Sequence, residues 1–490
     1  MRQPTRQTRR EFLKRLGALS SLGTAAPFAL NLAGIGAASA QANDYKAIVC
    51  LFMFGGNDHF NMVMPYDTTP HAEYIAVRGT QGAGGIGYAR ASLAATSFGT
   101  LTAQSYGSQF ALCPSMSALS TLYAQGNAAV LANIGPLITP TNRTQYRNNS
   151  VPMPPKLFSH NDQQSVWQAY ASEGVRTGWG GRMGDLLASQ NTNTIFTAIS
   201  AAGNAVFLAG DSIFQYQISN TGATAINALA TRPFGIPSAT GSASMDALRN
   251  IITDASSTST LNLERDHVDV VKRSVNAAGL VTSALAAKPA NSTGIALPTG
   301  STGNRVAQQL QAVARLISPE ARAFTGARRQ VFFVSIGGFD THDNETLALQ
   351  DDAAAGRQGL HGQVSRAIEY FYNATVAMGM QNNVTLFTAS DFGRTLTSNG
   401  DGTDHGWGAH HFVVGGAVRG GDIYGTMPLT RLHTPTTAND QDSGSGRLIP
   451  TTSVDQLAAT LATWFGVSGG DLTDVAPNIG NFNANLGFMI

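Results

Sequence analysis

Charged residues are scarce in this sequence. Asp, Glu, Lys and Arg make up only 12% of its 490 residues, well below the ~25% that is usual in soluble domains. Acidic and basic residues nearly balance, and no basic patch favours a nucleic-acid partner or an anionic membrane surface. Together with 53 glycines, the low charge density is more typical of an exported protein with many loops than of a cytosolic one.

Cysteines are also few, and long apolar runs are missing. One of the two cysteines, Cys50, lies inside an apolar run, and the other, Cys113, precedes Pro114. An oxidising destination would allow a disulfide between them, and the sequence leaves open both a bond and two separate thiols. No run after residue 40 approaches the ~18 apolar residues that a membrane-spanning helix needs. We therefore expect a soluble mature protein without a stable membrane span.

The first 40 residues have the pattern of an export signal. Residues 8–14 read TRREFLK, a twin-arginine motif, and a weakly apolar segment follows over residues 16–35. Ala38-Ser39-Ala40 then forms an A-x-A cleavage site. The pattern predicts the twin-arginine translocase as a partner during export and a periplasmic or secreted location. Cleavage would leave 25 basic and 29 acidic residues, a net charge of about −4.

Hydrophobic patterning after the signal predicts an α/β fold. Apolar runs typical of strands covered on both faces lie at residues 45–54, 128–134, 330–336, 384–387 and 411–414. Helical spacing is found at residues 114–123, 178–187, 360–378 and 453–465. The last helix starts with a capping box of Ser453 and Gln456. This alternation predicts a three-layer α/β/α sandwich with a mainly parallel central sheet.

Residues 192–328 are the least regular part of the sequence. Ser-, Thr- and Ala-rich stretches there separate short strands and helical patches, predicted at residues 195–199, 205–208, 245–252 and 305–316. We expect this region to be an insertion or cap within one domain that covers residues 41–490.

Acidic residues and histidines follow three of the predicted strands. Asp58 follows the first strand, Asp340 and His342 follow residues 330–336, and Asp391 follows residues 384–387. Ligands bind at the carboxyl ends of strands in open parallel sheets. A glycine-rich segment with further histidines comes next, and such segments are good material for a metal or anion site. The predicted metal ligands are Asp58, Asp340, His342, Asp391, His405 and His410.

Mixed Asp and His ligation favours Zn²⁺, Mn²⁺ or iron, whereas ligation by oxygen alone would favour Mg²⁺ or Ca²⁺. We therefore predict one or two divalent ions as cofactor. Two ions about 3.5–4 Å apart could hold the attacking and leaving oxygens of an in-line displacement. Arg182 and Arg394 are candidates for binding an anionic substrate group, because a guanidinium can form two bonds to a phosphate or sulfate.

The nucleophile is less well marked. A metal-activated hydroxyl or thiol would have to lie near the predicted ligands, and Ser159 beside His160 is the first candidate. Cys113 and Ser115 are the second, and Thr341 is the third. Direct attack by metal-activated water would need none of them. The predicted catalytic residues are Ser159, His160 and Arg394.

Several motifs carry a resemblance to a known family. They are Arg9-Arg10-x-Phe12-Leu13, Phe54-Gly55-Gly56-x-Asp58-x-x-Asn61, Ser159-His160, Gly178-Trp179-x-Gly181-Arg182, Gly338-Phe339-Asp340-Thr341-His342, Phe392-Gly393-Arg394-Thr395, Asp404-His405-Gly406-x-Gly408 and Leu448-Ile449-Pro450-Thr451-Thr452. Together they resemble the exported DUF1501 proteins of the alkaline phosphatase/sulfatase-like superfamily. The resemblance implies an alkaline-phosphatase-like sandwich and a metal-dependent hydrolase ancestry. The residues similar to that superfamily's metal ligands are Asp58, Asp340, His342, Asp391 and His405.

Two functions remain open from the sequence. The first is an exported metal-dependent hydrolase that acts on phosphate or sulfate esters, either small anionic molecules or a polymer. The second is a non-catalytic metal-binding or cell-surface partner protein that keeps the sulfatase-like fold.

Overall fold

The computed structural model describes residues 44–220, 222–223 and 262–490. The predicted export signal and the helical patch at residues 245–252 lie outside the described residues. The chain divides into two units, and the second, Lys46–Ile490, contains every element named below.

The described strands are β1 (Lys46–Met53), β2 (Val63–Pro65), β3 (Ser97–Gly99), β4 (Gln109–Leu112), β5 (Ala128–Gly135), β6 (Ala198–Ser200), β7 (Tyr216–Ser219), β8 (Gly222–Ala223), β9 (Arg329–Ile336), β10 (Val384–Ser390), β11 (Arg394–Ser398), β12 (Thr403–His405), β13 (Ala409–Val414), β14 (Ile423–Tyr424) and β15 (Thr452–Ser453). The described helices are α1 (Thr68–Arg78), α2 (Ser117–Ala124), α3 (Arg143–Arg147), α4 (His160–Ala169), α5 (Trp179–Leu187), α6 (Asn262–Ala287), α7 (Arg305–Ile317), α8 (Pro319–Thr325), α9 (Glu345–Leu349), α10 (Leu360–Ala377), α11 (Val454–Phe465) and α12 (Leu472–Val475).

A large, mainly parallel sheet forms the centre of the molecule. Its strand order is β14-β5-β13-β10-β1-β9-β6-β7-β8, with β15 beside β5. The central strand β1 is parallel to both of its neighbours, β10 and β9, and β6 and β7 continue in the same direction. Within the described residues, β13 and β8 run against their neighbours. Two small antiparallel sheets, β2-β4-β3 and β11-β12, lie outside it.

Helices cover the central sheet on both sides, which confirms the predicted α/β architecture. On one face, strand residues pack with α4, α5 and α11 in a core that includes Ile48, Cys50, Phe52, Phe333, Phe387, Trp167, Trp179, Leu457 and Phe465. The intervening residues Val49 and Leu51 are equally buried. Helix α10 covers the opposite face of the sheet, where its Phe371 and Leu386 of β10 line the same small gap. This helix also packs against α2 and α7.

Most of the elements predicted from patterning are present with small shifts in their ends. The capping box of Ser453 and Gln456 is formed at the start of α11. The strand predicted over residues 205–208 was wrong, because Val206–Leu208 is a short 3-10 helix. Both cysteines are free and buried in the core, so no disulfide joins Cys50 to Cys113.

The irregular region over residues 192–328 contributes strands and a helix to the central layers. Its strands β6 and β7 extend the central sheet, because the backbone of β6 pairs directly with β9. Helix α7 also packs on β9 and is therefore part of the layer that covers the sheet. No helix among the described residues is long and apolar enough to cross a membrane.

The strands β1, β9 and β10 end at one edge of the sheet, because all three are parallel. Gly55, just after β1, has φ +116°, and a Cβ there would lie 2.3 Å from the backbone nitrogen of Asp340. Only glycine therefore allows the segment after β1 to approach the segment after β9 this closely. The contact brings the acidic residues that follow these strands to the same edge.

A fully buried group of charges ties the segment after β1 to two helices. Arg78 at the end of α1 donates two hydrogen bonds to Asp58, at 2.9 and 2.7 Å. Its guanidinium also lies 3.4 Å from Glu345 at the start of α9. Burial alone would raise the pKa of Asp58, but Arg78 more than offsets this and holds it below its usual value. Burial and the charge of Asp58 raise the pKa of Glu345 well above its usual value.

Replacing Arg78 with Met should destabilise the fold strongly, because it leaves the buried Asp58 charge without its partner. We expect the free energy of unfolding to fall by about 3–5 kcal/mol, measured by urea denaturation. Arg431→Met is the matched control, since it breaks a partly exposed ion pair with Glu73 and should cost about 0–1 kcal/mol. Equal losses in the two variants would contradict this assignment.

Candidate metal centre

Four of the predicted residues converge at the carboxyl edge of the sheet. The Oδ1 atom of Asp340 lies 3.4 Å from His160 Nε2, 3.1 Å from His342 Nε2 and 3.4 Å from His405 Nε2. His342 Nε2 and His405 Nε2 are 2.9 Å apart. Ligand atoms of His160, Asp340 and His405 all lie within 4.8 Å of one another, close enough to share one ion.

Three different segments supply these four side chains. His160 is the first residue of α4, and His405 is the last residue of β12. Asp340 and His342 lie on the segment between β9 and α9. The pairing of β12 with β11, in which His405 faces Arg394, fixes the position of His405. Side chains far apart in the sequence therefore meet around one point.

Two of the histidines are fixed by their second ring nitrogen. His405 Nδ1 lies 2.8 Å from the carbonyl oxygen of Phe158, and a carbonyl can only accept, so Nδ1 carries the hydrogen. His160 Nδ1 is 2.7 Å from Asp391 Oδ2 and donates to that carboxylate. When both rings are neutral, each Nε2 therefore presents a lone pair toward Asp340. Such outer partners are usual for histidines that bind metals.

The converging atoms fit a divalent cation. Imidazole lone pairs and a carboxylate oxygen at 2.9–3.4 Å from one another repel unless a proton or cation lies between them. His160 Nε2 is buried and has no hydrogen-bond partner among the described residues. Three imidazoles and one carboxylate suit Zn²⁺ or Mn²⁺ better than Mg²⁺ or Ca²⁺, which prefer oxygen ligands.

Arg394 holds Asp340 in place and does not face solvent. Its guanidinium is fully buried, and it donates to Asp340 Oδ1 at 3.0 Å, to the Gly55 carbonyl at 2.9 Å and to the Thr403 hydroxyl at 2.8 Å. Burial would raise the pKa of Asp340, but the hydrogen bond and charge of Arg394 outweigh it and lower that pKa. Arg394 therefore keeps the carboxylate ionised and oriented, and its donors are already used by the protein.

The histidines of the cluster differ in their electrostatic surroundings. The hydrogen bond that His160 donates to Asp391 raises the pKa of His160, although burial opposes it. Burial lowers the pKa of His405, and the Phe158 carbonyl only partly compensates. The cluster is open on one side, where Asp340 is 46% and His342 is 41% exposed. Beyond His342, Asp404 Oδ1 lies 3.4 Å from its Nδ1.

Asp391 is placed behind the cluster and does not belong to the set that converges. Its Oδ2 accepts from His160 Nδ1, from Gln164 Nε2 at 2.8 Å and from the backbone nitrogen of Gly55 at 3.1 Å. The carboxylate is fully buried. The structure therefore gives Asp391 the position of a partner that orients His160, where the sequence had predicted a ligand.

Two other predicted ligands lie elsewhere. Asp58 is engaged through both oxygens by Arg78 and is not part of the cluster. His410 is buried in β13, where its Nδ1 accepts from the backbone nitrogen of Asn133 at 3.1 Å and its ring packs edge-on against His59. Burial lowers the pKa of His410 to about 3, so the ring is neutral.

The predicted nucleophiles are all engaged with other groups. Ser159 Oγ donates to Asp162 at 3.0 Å within the first turn of α4. Burial raises the pKa of the Cys113 thiol to about 12, so it carries no thiolate at neutral pH. Ser115 Oγ accepts from a backbone nitrogen, and Thr341 is buried beside Glu345.

The second predicted anion-binding residue is also occupied. Arg182 donates to the carbonyl oxygens of Thr177 and Val475 at 3.1 and 3.0 Å. Sequence reasoning missed Gln164 and Phe158, which support the cluster from behind. Gln164 follows His160 by four residues and so shares its helix face, a signal that was available. Phe158 has φ +71°, an uncommon conformation for a residue other than glycine, and nothing in the sequence marks it.

Asp391→Asn should weaken metal binding while leaving the fold intact, because it removes the charge that orients His160. We expect affinity for Zn²⁺ to fall about 10–100-fold, measured by competition with a chromophoric chelator. The control is Asp422→Asn, which alters a buried carboxylate that accepts from the backbone nitrogens of Leu101 and Thr102. Unchanged affinity in Asp391→Asn would show that the carboxylate plays no part in the centre.

Comparison with known proteins gives a family but no activity. Two crystal structures of Ps i-CgsB, one of them in complex with k-i-k-neocarrahexaose, resemble the chain at 9% identity and a TM-score of 0.34, over 90% of this chain and 77% of theirs. That similarity is too low to carry an argument. No curated protein matches the chain. A family described as "Protein of unknown function (DUF1501)" matches residues 45–473, and the chain therefore belongs to the DUF1501 family.

Proposed function

We propose that this protein is an exported, metal-dependent hydrolase of phosphate or sulfate esters, built on an alkaline-phosphatase-like α/β/α sandwich. The observation that carries the proposal is the convergence of three imidazole nitrogens on one carboxylate oxygen at the sheet edge, with one side open to solvent. Structural zinc sites are closed by four protein ligands, whereas catalytic sites keep a position for water or substrate. The exposure of Asp340 and His342 favours the second kind.

The residues that would hold a divalent cation are His160, Asp340, His342 and His405. Such an ion would polarise the ester and lower the pKa of a water molecule. The protein's own part is to fix the donors. Asp391 and the Phe158 carbonyl orient two of the rings. Arg394 keeps Asp340 ionised and limits its rotation. The cluster accounts for one ion, and its donor set favours Zn²⁺ or Mn²⁺ over Mg²⁺ or Ca²⁺.

Water is the nucleophile that fits the surroundings best. The hydroxyl of Ser159 is committed to Asp162, and the Cys113 thiol is buried and protonated. In the proposed reaction, the oxygen of water forms a bond to the phosphorus or sulfur atom and the bond to the ester oxygen breaks. The alcohol leaves with one proton of the water, and the phosphate or sulfate carries the remainder. The substrate would be a small anionic ester or an anionic polymer.

A non-catalytic metal-binding or cell-surface partner protein is the second candidate. One observation favours it: Arg182 and Arg394, the two arginines predicted to bind an anionic substrate, direct their donors to other parts of the protein. In that case the ion would stabilise the junction of the loops around it. Binding of metal without turnover would be the result expected for this alternative.

Metal removal and replacement should separate the two candidates. The mature protein is treated with chelator, reloaded with Zn²⁺, Mn²⁺, Mg²⁺ or Ca²⁺, and assayed with aryl phosphate and aryl sulfate monoesters and diesters. We expect turnover that is lost with chelator, restored by Zn²⁺ or Mn²⁺, and reduced at least 100-fold in His405→Gln. His433→Gln is the control, because His433 contacts the segment around Asn439 and not the cluster. Stoichiometric metal without turnover of any ester would favour the non-catalytic candidate.

Export is a separate part of the proposal. Its support is the twin-arginine motif at residues 8–14 and the A-x-A site at residues 38–40. Replacing Arg9 and Arg10 together with Lys should retain the uncleaved chain in the cytoplasm, because the translocase reads the arginine pair. Cell fractionation with immunoblotting measures the distribution. The same location and size for both chains would show that the motif is not used.

A further inference from the structure

A further arginine, Arg447, lies beside the cluster, and its terminal nitrogens are not bound by other described parts of the protein as those of Arg394 are. Arg447 is on the segment that leads to β15, and its Nε donates to the backbone carbonyl of His405 at 2.8 Å. Its guanidinium carbon lies 5.3 Å from the ring centroid of Phe158, over the ring. The carbonyl of this same Phe158 accepts from His405 Nδ1. Arg447 therefore contacts a metal-centre histidine and the residue that orients it.

The terminal nitrogens of Arg447 are available. They make no hydrogen bond or ion pair within the part of the chain that the structure describes, and the side chain is half-buried. Arg394 is fully buried with its donors used. The nearby Lys156, two residues before Phe158, is paired with Asp162 at 3.2 Å. Of the two arginines, Arg447 is the one with free donors next to the cluster.

The backbone under Arg447 is held rigidly. A tight turn joins Ser443 N to the Arg447 carbonyl and Arg447 N to the Gly444 carbonyl, at 2.9 and 3.0 Å. The buried Asp442 accepts from the nitrogens of Gly444 and Gly446, at 2.8 Å each. A donor on a fixed loop, with its stem packed on an aromatic ring, loses little conformational freedom when it binds a ligand.

We propose that Arg447 binds the tetrahedral oxyanion of the substrate beside the metal centre. This inference rests on the proposed function and specifies how that site would recognise an ester. Two terminal guanidinium nitrogens match two oxygens of a phosphate or sulfate group. Because Arg394 neutralises Asp340, the oxyanion would meet a site whose carboxylate is already balanced. Arg447 is thus assigned to substrate binding and not to metal binding.

Anion titration of the metal-loaded mature protein tests this assignment. Inorganic phosphate and inorganic sulfate are titrated separately by calorimetry into the wild type and Arg447→Gln, with metal content measured in each sample. We expect Arg447→Gln to keep its metal and to lose about 10–100-fold in affinity for the preferred anion. Arg447→Lys, which keeps the charge but not the two-pronged geometry, should lose less. The anion that is affected more identifies the ester class.

The matched control is Arg305→Gln at the exposed first residue of α7, which should bind both anions as the wild type does. Unchanged anion affinity in Arg447→Gln would overturn the proposal, and so would loss of metal in both Arg447 variants, since that would give the residue a structural role. If the wild type turns over no ester but binds the anion through Arg447, the hydrolase proposal fails, and only the assignment of Arg447 as an anion-binding residue is kept. If esters are hydrolysed with the same KM in Arg447→Gln, only this proposal fails.

Discussion

The hydrogen bond between the buried Arg394 and Asp340 is the contact on which the candidate centre depends. It joins a guanidinium with no solvent exposure to a carboxylate that faces three imidazoles. Burying a guanidinium is costly unless its donors are satisfied, and here Thr403 and the Gly55 carbonyl also accept from it. The same interaction therefore does two things: it locks together the segments after β1 and β9, and it fixes the carboxylate that a cation would share.

This contact is one end of a longer polar network beneath the sheet edge. The Thr403 hydroxyl that accepts from Arg394 also donates to Glu345. Glu345 in turn lies 3.4 Å from Arg78, which is paired with Asp58. Two buried arginines and three carboxylates are thus distributed along one path. Each charge is close to an opposite charge, which is the condition under which buried ion groups persist. The network explains why the acidic residues after the strands are not all placed as metal ligands, because some of these carboxylates bind arginines that hold the loops together.

The sequence predicted that the carboxylates lie at one edge of the sheet, but it did not predict which partner each carboxylate binds. Parallel strands place Asp58, Asp340 and Asp391 at one edge, so their proximity follows from topology. Their roles depend on side chains from helices that no strand pattern locates. Arg78 comes from α1, in a segment without a motif, and it captures Asp58. His160 comes from the start of α4 and inserts its ring between Asp340 and Asp391.

His410 shows a different limit of the same reasoning. It stands one residue from His411 in a stretch rich in glycine and histidine, which predicts a site loop. The stretch instead becomes β13, an antiparallel strand paired with both β10 and β5, and strand pairing buries alternate side chains on both faces. A histidine in such a strand is neutral, because burial removes the hydration that stabilises a charged ring and so lowers its pKa. Local composition could not reveal that pairing.

The open side of the cluster bears on which of the two functions the geometry favours. An ion that only stabilised loops would gain most from ligands shielded from water, yet Asp340 and His342 are the two most exposed of the four. Protein groups occupy the opposite side of the cluster. Asp391, itself held by Gln164, accepts from the His160 ring, and the Phe158 carbonyl accepts from the His405 ring. Rigid support on one side and solvent access on the other is the arrangement expected where a substrate must reach the ion. Arg447 contacts the backbone of His405 and the ring of Phe158, so the anion-binding role proposed for it would place the substrate next to the histidine that these two groups hold.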